Sequence, residues 1–590
     1  MLRWTAAVCA LALLAGACSN DNSGSKASRA KREASAPNNP EAAGIFPADT
    51  VNKAVHDGTP KRGGTVTWGL ESDVLDVSPN QSPIQPADVQ MAAAVFAPLV
   101  TWGDHGSFEG MAVTDNTDHT YNQLADRLTS ENDDLVHWTL TLRKGVQFSN
   151  GKPVTAQQVV DATKWAMASP QCSCAQDAKE IASVTAQGDL TVEYTLKDPI
   201  VDWPTKLVGG GLGWITESSA RDAAPDPASP DIAHLIGAGP FAYASQSGDT
   251  YTVTANPHYF GVDRRNHDAK LPYLDKIVFQ PLADSVTRLQ AVQSGSVQIM
   301  GTADTSNLVG AKADPDLRVQ PAEGSSSTIL VLNLTHPPFG VEPKPGESAQ
   351  QTAIRSLDDP TALAARQALN YSINRNEINQ KYYKGTRVPS YGFFPSNSPW
   401  YDAESRLPRF DKAKATALVK KVEAAGVKMD VHSICINTPE ASGVNQIMAE
   451  QGKAVGITGE FQPVEQAILV STLLAGGTNI SWDRSCFRSP QLADPDGVYG
   501  SIITGGPTNL VKYSRPDVDK WLNEARRTAD VAERKKLYDK IQTQFNRDVV
   551  VIPLLFDYWG NVFSKKVSGL STPSFSSLGI IAPGELYRTA

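Results

Sequence analysis

The run from Trp138 to Trp165 constrains the fold more than any other part of this chain. Its first residues, WTLTLR, alternate apolar and polar side chains, which predicts a strand with one buried face. The Ser-Asn-Gly sequence at 149–151 then favours a tight turn, because Asn and Gly tolerate positive φ. Thr155 is placed to cap a following helix, and Gln158 supplies the other half of a capping box. The run therefore predicts a strand, a turn and a helix start, but no function.

The residue identities in this run, beyond their periodicity, resemble a family signature. The run follows the pattern W-T-F-x-L-R-x-G-V-x-F-x-D/N-G-x-P-x-T-A-x-D-V of the family 5 extracellular solute-binding proteins, the oligopeptide- and dipeptide-binding receptors of ABC importers. Shorter segments resemble further family motifs and stand in the family's order: GGT at 63–65, FAPLV at 96–100, NQLAD at 122–126, GAGPF at 237–241, NPHYF at 256–260, LPYLDKI at 271–277, GSVQI at 295–299, RQALNYSINR at 366–375 and GL at 569–570.

The resemblance covers about 63–570 and implies an α/β fold of the two-lobe periplasmic-binding-protein-like type II, in the large peptide-binding class with an extra domain. In that class the two lobes close on a ligand cleft between them by a hinge motion. The motif positions imply these boundaries: lobe I from 61–80, 236–326 and 557–590, an additional domain beside lobe I from 81–235, and lobe II from 327–556.

The amino terminus is typical of a secretory signal. Residues 1–17 contain Arg3, an apolar run and Ala-Gly-Ala before Cys18. The apolar run is shorter than the roughly 20 residues that span a bilayer. It resembles a lipoprotein signal with Cys18 as the lipidated residue, although Ala15 replaces the usual Leu; an ordinary cleaved signal with an incidental Cys is the alternative. Residues 18–60 are rich in Ser, Asn, Ala, Pro and Lys, which favours a flexible tether to the extracytoplasmic face of the cell membrane.

Composition and motifs exclude several function classes. The 590 residues carry 54 Lys+Arg and 63 Asp+Glu, a formal net charge of −9 that argues against nucleic acid as a partner. The His residues show no H-E-x-x-H spacing, and no G-x-S-x-G elbow is present. The Gly-rich sequence at 209–213 lacks the Lys-Ser/Thr of a phosphate loop. We therefore expect that the protein is not an enzyme and that it holds no cofactor and no metal site. A carrier of metal or heme is a third functional class to be considered.

Alternating periodicities between 428 and 487 predict a βαβαβ unit of parallel strands joined by helices. The predicted elements are strands at 429–436, 459–464 and 479–487 and helices at 440–455 and 465–475.

Four cysteines remain after the signal and the lipidated residue are set aside, and four allow three pairings. Cys435 and Cys486 lie near the carboxyl ends of the first and third strands of the βαβαβ unit, which are neighbours if the strand order is 2-1-3. We therefore predict a disulfide between them. Cys172 and Cys174 would then pair with each other, although the Cys-Ser-Cys ring is small.

The family resemblance also indicates which residues enter the cleft. The segment after the first strand belongs to lobe I, and a tyrosine and the run 482–496 belong to lobe II. The candidate ligand-binding residues are Leu70, Glu71, Ser72, Asp73, Tyr391, Trp482, Asp483, Arg484, Arg488, Gln491, Asp494 and Asp496.

One departure from the family concerns the free amino group of a peptide. Family members hold it with an Asp three residues before an acidic-Pro pair; here the pair is Asp494-Pro495, and the counted position is Gln491. A neutral amide cannot supply the countercharge that a buried ammonium needs. Asp483 or Asp494 would be the alternatives. Two arginines, Arg484 and Arg488, either balance Asp494 and Asp496 or face an anionic ligand group.

We therefore expect a monomeric, lipid-anchored substrate-binding protein of an ABC transporter, which captures short peptides and delivers them to the permease subunits in the membrane. The same receptor role for heme, a metal chelate, glutathione or another anionic solute is the alternative ligand class, and an enzyme is the other functional class.

Overall fold

A computed structural model describes residues 46, 51, 53–79, 86–103, 112–169, 172, 174–395, 398–474, 480–490, 494–506, 508–571 and 581–589. Its strands are β1 Thr65–Leu70, β2 Ala125–Ser130, β3 His137–Leu142, β4 Ile181–Gln187, β5 Thr191–Leu196, β6 Phe241–Ser247, β7 Thr250–Ala255, β8 Val262–Asp263, β9 Ala269–Lys270, β10 Lys276–Pro281, β11 Ile299–Thr302, β12 Leu317–Leu332, β13 Val388–Pro389, β14 Ser433–Ile436, β15 Phe461–Val464, β16 Arg484–Pro490, β17 Val551–Ser564, β18 Val567–Ser568 and β19 Tyr587–Arg588.

Its α-helices are α1 Pro86–Val95, α2 Ala156–Ala168, α3 Ala175–Lys179, α4 Trp203–Lys206, α5 Gly210–Gly213, α6 Ser218–Asp222, α7 Ser285–Ser294, α8 Thr305–Lys312, α9 Ala349–Asp358, α10 Pro360–Ser372, α11 Arg375–Lys381, α12 Lys412–Ala424, α13 Pro439–Lys453, α14 Gln466–Leu474, α15 Tyr499–Ile502, α16 Pro516–Arg526 and α17 Val531–Asp548. No helix in these described ranges is long and apolar enough to cross a membrane.

Two long antiparallel strands, β12 and β17, run through both lobes. The large sheet has the order β15-β14-β16-β12-β17-β11-β1-β10-β7-β6, with β13 paired to β17. The lobe I end of β12 pairs with β17 from Leu317 to Glu323, and its lobe II end pairs with both β17 and β16 from Ser326 onward. A shift in the β12–β17 register between Glu323 and Ser326 marks the passage from one lobe to the other. The fold is thus the predicted two-lobe α/β arrangement.

In lobe I, β1 lies between β10 and β11 and is parallel to both. Its apolar side chains alternate with two partly buried threonines, so they lie on one face of the strand, and that face is turned towards the core. Val66 and Trp68 are almost completely buried there, with Phe279 of β10 and Ile299 of β11.

The run from Trp138 to Trp165 folds largely as predicted. β3 pairs with β2 and β5 in a separate four-stranded sheet of order β2-β3-β5-β4, and α2 follows the turn. Gly151 has φ +83°, and the Thr155 side chain accepts from the backbone N–H of Gln158. The predicted capping box is not closed, however, because the Gln158 side chain accepts instead from the backbone N–H of Ser218.

The βαβαβ unit of lobe II consists of β14, α13, β15, α14 and β16, with β14 parallel to both other strands. The order β15-β14-β16 is the 2-1-3 arrangement on which the predicted disulfide depends. The third strand begins at Arg484 rather than at residue 479. The preceding Asp483 instead donates its backbone N–H to the carbonyl of His432.

The register between β14 and β16 pairs Ile434 with Ser485, so the next residues, Cys435 and Cys486, lie side by side. Their Cα atoms are 5.2 Å apart and the two side chains form a disulfide. Cys172 and Cys174 form a second disulfide within the additional domain, with Cα atoms 4.9 Å apart.

The predicted tether is too long at its carboxyl end. Phe46 and Val51 are buried in the lobe I cluster that contains Val292 of α7, and Val55 forms a β-bridge with Leu570. These apolar side chains are four or five residues apart in an otherwise mostly polar stretch. Each of them packs against lobe I. Packing onto lobe I therefore begins before residue 60. The signal segment and Cys18 lie outside the described residues.

Candidate functional site

A pocket lies where the carboxyl ends of β1 and β11 meet the start of α1. Ligand sites in α/β sheets form at such strand ends. The pocket is open to solvent on one side, and the 310 Å³ between its walls includes that open solvent. Its wall is formed by Trp68, Gly69, Leu70, Glu71, Pro86, Ala87, Gln90, Gly301, Trp559 and Asn561. Of the predicted lobe I residues, Leu70 and Glu71 line this pocket; Ser72 and Asp73 follow on the same segment outside its wall.

The segment after β1 leaves the sheet where the pocket begins. Pairing of β1 with β10 ends at Leu70 and Pro281. From residue 71 to residue 78 the described chain has no strand assignment. Its position is held by Asp88 in the first turn of α1, whose carboxylate accepts the backbone N–H of Leu75 at 2.8 Å. An anchored segment with no strand partner is suited to pair with an extended ligand.

Arg288 of α7 lies behind this segment. A Cβ at Gly69 would be only 3.1 Å from Cγ of Arg288, so the arginine stem packs directly against the end of β1. Its guanidinium donates to the carbonyls of Leu282, Ala283 and Gly301. Burial lowers the Arg288 pKa, and the negative charge of Glu71 opposes that change. Arg288 thus fixes the strand ends that shape the pocket.

Tyr391 lies in the interior of lobe II. Its ring is 5% exposed and faces three guanidinium groups at 4.7 to 5.4 Å, those of Arg375, Arg406 and Arg409. Its backbone carbonyl accepts the N–H of Leu407. The ring is therefore enclosed by its own lobe, and the predicted contact with a ligand gains no support.

Three of the predicted cleft residues, Trp482, Asp483 and Arg484, lie at the amino end of β16. Arg484 pairs with Leu332, six positions from the end of β16 at Pro490, which is about 20 Å along a strand. Trp482 is 1% exposed.

Asp483 and Arg484 are also held by neighbours in lobe II. Asp483 accepts the backbone N–H of His432 at 2.6 Å, and Arg484 donates to Ser433 Oγ at 2.8 and 3.0 Å. Both side chains are thus engaged within lobe II, and their predicted contact with a ligand gains no support.

The other end of β16 reaches the passage between the lobes. Pro490 pairs with Ser326 there, and Arg488 pairs with Thr328 two residues further along the strands. Gln491 lies outside the described residues. The lobe II residues nearest to the passage are thus on the carboxyl end of β16, as α/β ligand sites require.

Asp494 and Asp496 are paired with basic side chains that the sequence does not predict as their partners. Asp494 accepts two hydrogen bonds from Arg534, at 2.5 and 2.7 Å. Asp496 accepts from Nε of Arg526 at 3.0 Å and lies 3.5 Å from Nζ of Lys206. Arg484, a possible counter-ion according to the sequence, pairs with neither carboxylate.

These pairs belong to an interdomain charge cluster, which we define as four residues of lobe II and four of the additional domain. Lys206 also lies 3.1 Å from Asp202 and 3.5 Å from Asp177, and Arg526 donates to Glu180 at 3.2 Å. A backbone hydrogen bond from Val201 to the carbonyl of Arg526 lies beside it. The cluster consists of Asp177, Glu180, Asp202 and Lys206 with Asp494, Asp496, Arg526 and Arg534.

The cluster holds five carboxylates against three cations, so its negative charge is not fully balanced. Burial, together with the charge of Asp202, raises the pKa of Asp496 to about 7. The pKa values of Lys206 and Arg526 are raised by the surrounding carboxylates, against the effect of burial. Sequence reasoning could not find these partners, because Lys206 and Asp496 are 290 positions apart.

Two long strands shared by two lobes, with a pocket at the strand ends of lobe I, define a two-lobe solute-binding protein. Residues 119–504 match the family model of the bacterial extracellular solute-binding proteins, family 5 Middle. The chain belongs to this family, whose members are substrate-binding proteins of ABC transporters and not enzymes.

Individual relatives agree with this assignment and differ in their ligands. The glutathione-binding protein GsiB of Shigella boydii is 24% identical over 471 residues, covering 78% of this chain and 85% of that protein. DppA of Helicobacter pylori, in complex with the peptide STSA, has TM-score 0.71 at 19% identity over 90% of this chain and 99% of its own. NikA of Staphylococcus aureus, in complex with Ni(L-His)2, has TM-score 0.67 at 16% identity over 88% of this chain and 98% of its own.

Proposed function

We propose that this protein captures short peptides of about two to six residues in the cleft between its lobes, by adding them as an extended strand. The observation that carries the proposal is the segment after β1. It continues from a central strand into the pocket, has no strand assignment from residue 71 to residue 78, and is anchored through Leu75 and Asp88. Backbone hydrogen bonds to such a segment bind peptides without reading their sequence.

The proposal includes the place where the protein acts. Cys18, after a signal-like segment, would carry the lipid that holds the mature chain at the extracytoplasmic face of the cell membrane. From there the monomeric receptor would deliver its ligand to permease subunits of an ABC importer. Membership of the family supports the receptor role.

A non-peptide ligand is the second candidate, because GsiB binds glutathione and NikA is found with a nickel–histidine complex. The same scaffold serves different ligands when the cleft changes. No group of His, Cys, Asp and Glu side chains in the described part of the chain is arranged to hold a metal ion.

Binding measurements on the mature protein without its lipid separate these candidates. Trp68 and Trp559 line the pocket, so intrinsic fluorescence should change when a ligand enters it. The ligands to titrate are a library of di- to hexapeptides, glutathione, heme, and Ni²⁺ with histidine. Saturable binding of peptides supports the proposal. Binding of heme, glutathione or the nickel complex without any peptide would refute the peptide assignment, and turnover of a peptide would indicate an enzyme.

A further inference from the structure

The additional domain is continuous with lobe I, whereas it meets lobe II only across a surface. In the chain, α1 follows β1 of lobe I, and the chain returns to the lobe I sheet at β6. Close packing holds these two parts together. Gly239 donates its backbone N–H to the carbonyl of Val95 at 2.8 Å, and the side-chain amide of Asn122 exchanges two hydrogen bonds with the backbone of Val262. A hinge motion at β12 and β17 would therefore carry the additional domain with lobe I.

The interdomain charge cluster lies at the boundary that such a motion would open. Nζ of Lys206 on α4 is 3.5 Å from the Asp496 carboxylate, whose side chain is fully buried. Arg526 of α16 donates to Glu180 at 3.2 Å. Beside these charges, the backbone N–H of Val201 donates to the carbonyl of Arg526 at 2.8 Å. The boundary between the additional domain and lobe II is thus charged and closed to water.

The cluster is short of positive charge. Its five carboxylates face three cations, and Lys206 is already shared among three of the carboxylates. The buried Oδ1 of Asp202 has no hydrogen-bond partner in the part of the chain that the structure describes. A buried carboxylate without enough counter-charge shifts its pKa and binds a proton. The arrangement therefore favours a carboxyl proton at this boundary.

Asp496 is the carboxyl at which that proton fits. Burial first, and the negative charge of Asp202 second, raise its pKa to about 7, while Lys206 and Arg526 act in the opposite direction. Besides the members of the cluster, the phenols of Tyr499 and Tyr538 face it from lobe II.

Separation of the two parts would change the pKa of Asp496, because it would return water to this carboxyl and remove the charge of Asp202. Lys206 would leave together with Asp202, so these two opposite influences would largely cancel. Arg526 belongs to lobe II and would stay beside Asp496. The restored hydration then decides the direction, and the pKa of Asp496 falls on separation.

We propose that the contact between lobe II and the additional domain is linked to a proton, which the interdomain charge cluster binds when the two parts meet and releases when they separate. A group with a raised pKa in the contact stabilises that contact at low pH, and its contribution is lost as pH rises through neutrality. A ligand that binds the closed form would then be held more tightly in an acidic medium. This last consequence rests on the proposed function, whereas the proton linkage does not depend on any ligand.

The test measures hydrogen exchange of the Val201 backbone N–H in the ligand-free mature protein, near pH 6 and near pH 8, with EDTA present. This amide donates to Arg526 across the boundary, so its protection reports how often the two parts separate. The rates are corrected for the intrinsic effect of pH on exchange. With a pKa of about 7 in the contact and an ordinary carboxyl pKa after separation, protection should be about tenfold greater near pH 6 than near pH 8.

Two variants assign the effect to the buried carboxyl. Asp496→Asn places a neutral side chain of the same shape in the cluster, so Val201 should be equally protected at both pH values. Asp198→Asn is the matched control, because Asp198 pairs with Arg527 at 2.8 Å across the same boundary but has a side chain that is 61% exposed. It stays hydrated in both states, so this variant should keep the pH dependence of the wild type.

If Asp496→Asn fails to fold, Asp202→Asn decides. It removes the second cause of the raised pKa, so protection should be lost at lower pH than in the wild type, and an unshifted loss would overturn the inference. Equal protection of the wild type at both pH values also overturns it, as does a pH dependence that persists in folded Asp496→Asn. Each of these results leaves the proposed receptor function standing. A wild type that binds no peptide but shows the tenfold change refutes the peptide assignment and supports the proton linkage.

Discussion

Replacing Lys206 by Met should destabilise the protein far more than the loss of an ordinary lysine does. The side chain of Lys206 is 11% exposed, and its ammonium lies within 3.5 Å of three carboxylates, those of Asp177, Asp202 and Asp496. Breaking a buried ion pair by removing one partner costs about 3 to 5 kcal/mol, because the remaining charge stays buried. Asp202 and Asp496 are both nearly inaccessible, so the upper part of that range is expected.

Lys520→Met provides the matched control. Lys520 lies on α16, its side chain is 70% exposed, and its ammonium is 3.7 Å from Glu524 one helical turn away. Such an exposed pair contributes about 0.3 to 0.5 kcal/mol. Thermal and urea unfolding of both variants should be compared with the wild type in the same assay, because a chain with several cores need not unfold in one step.

The loss in Lys206→Met should also depend on pH. Removing the ammonium raises the pKa of Asp496 above its wild-type value of about 7, so near pH 6 the carboxyl is largely protonated with or without Lys206. Near pH 8 the wild type keeps an ionised, paired carboxylate, whereas the variant must bury that charge with fewer partners or bind a proton. The destabilisation should therefore be larger at pH 8 than at pH 6. Equal midpoints for Lys206→Met and Lys520→Met, at both pH values, would refute the view that the cluster is a buried electrostatic contact.

Three further outcomes are expected. The pKa of Asp496 rises on folding from 3.8 to about 7, so the protein takes up a proton when it folds between those pH values, and the contribution of Asp496 to stability falls as pH rises through that window. Asp496→Asn should therefore flatten the slope of the unfolding midpoint against pH in the same window. An unchanged slope would exclude this carboxyl as its source. A Cys435→Ser, Cys486→Ser variant should lose about 4 kcal/mol, since the bridge closes a 51-residue separation; alkylation of Cys435 in native, unreduced protein would contradict the bridge. Cys18→Ala should leave the membrane fraction, and unchanged partition would exclude the lipid anchor.

Local patterns predicted the parts of the fold that local forces determine. The strand and helix of the opening run follow from periodicity. The 2-1-3 order of β15, β14 and β16 is the condition on which the predicted disulfide depends, and periodicity alone does not determine it. The start of the third strand was placed too early, because Asp483 has a polar contact with His432 that periodicity does not reveal. The predicted tether extends too far towards residue 60 for a similar reason. Three separated apolar side chains within a polar stretch give no periodic signal.

The structure shows where the predicted site residues lie, and their contact with a ligand stays a prediction. Leu70 and Glu71 line the pocket because they follow directly from the carboxyl end of β1, whose position the sequence indicates. Asp494 and Asp496 were expected near a ligand, yet each is paired with an arginine of α16 or α17. Which of two carboxylates meets a ligand and which meets an internal cation depends on tertiary packing between segments that are far apart in sequence.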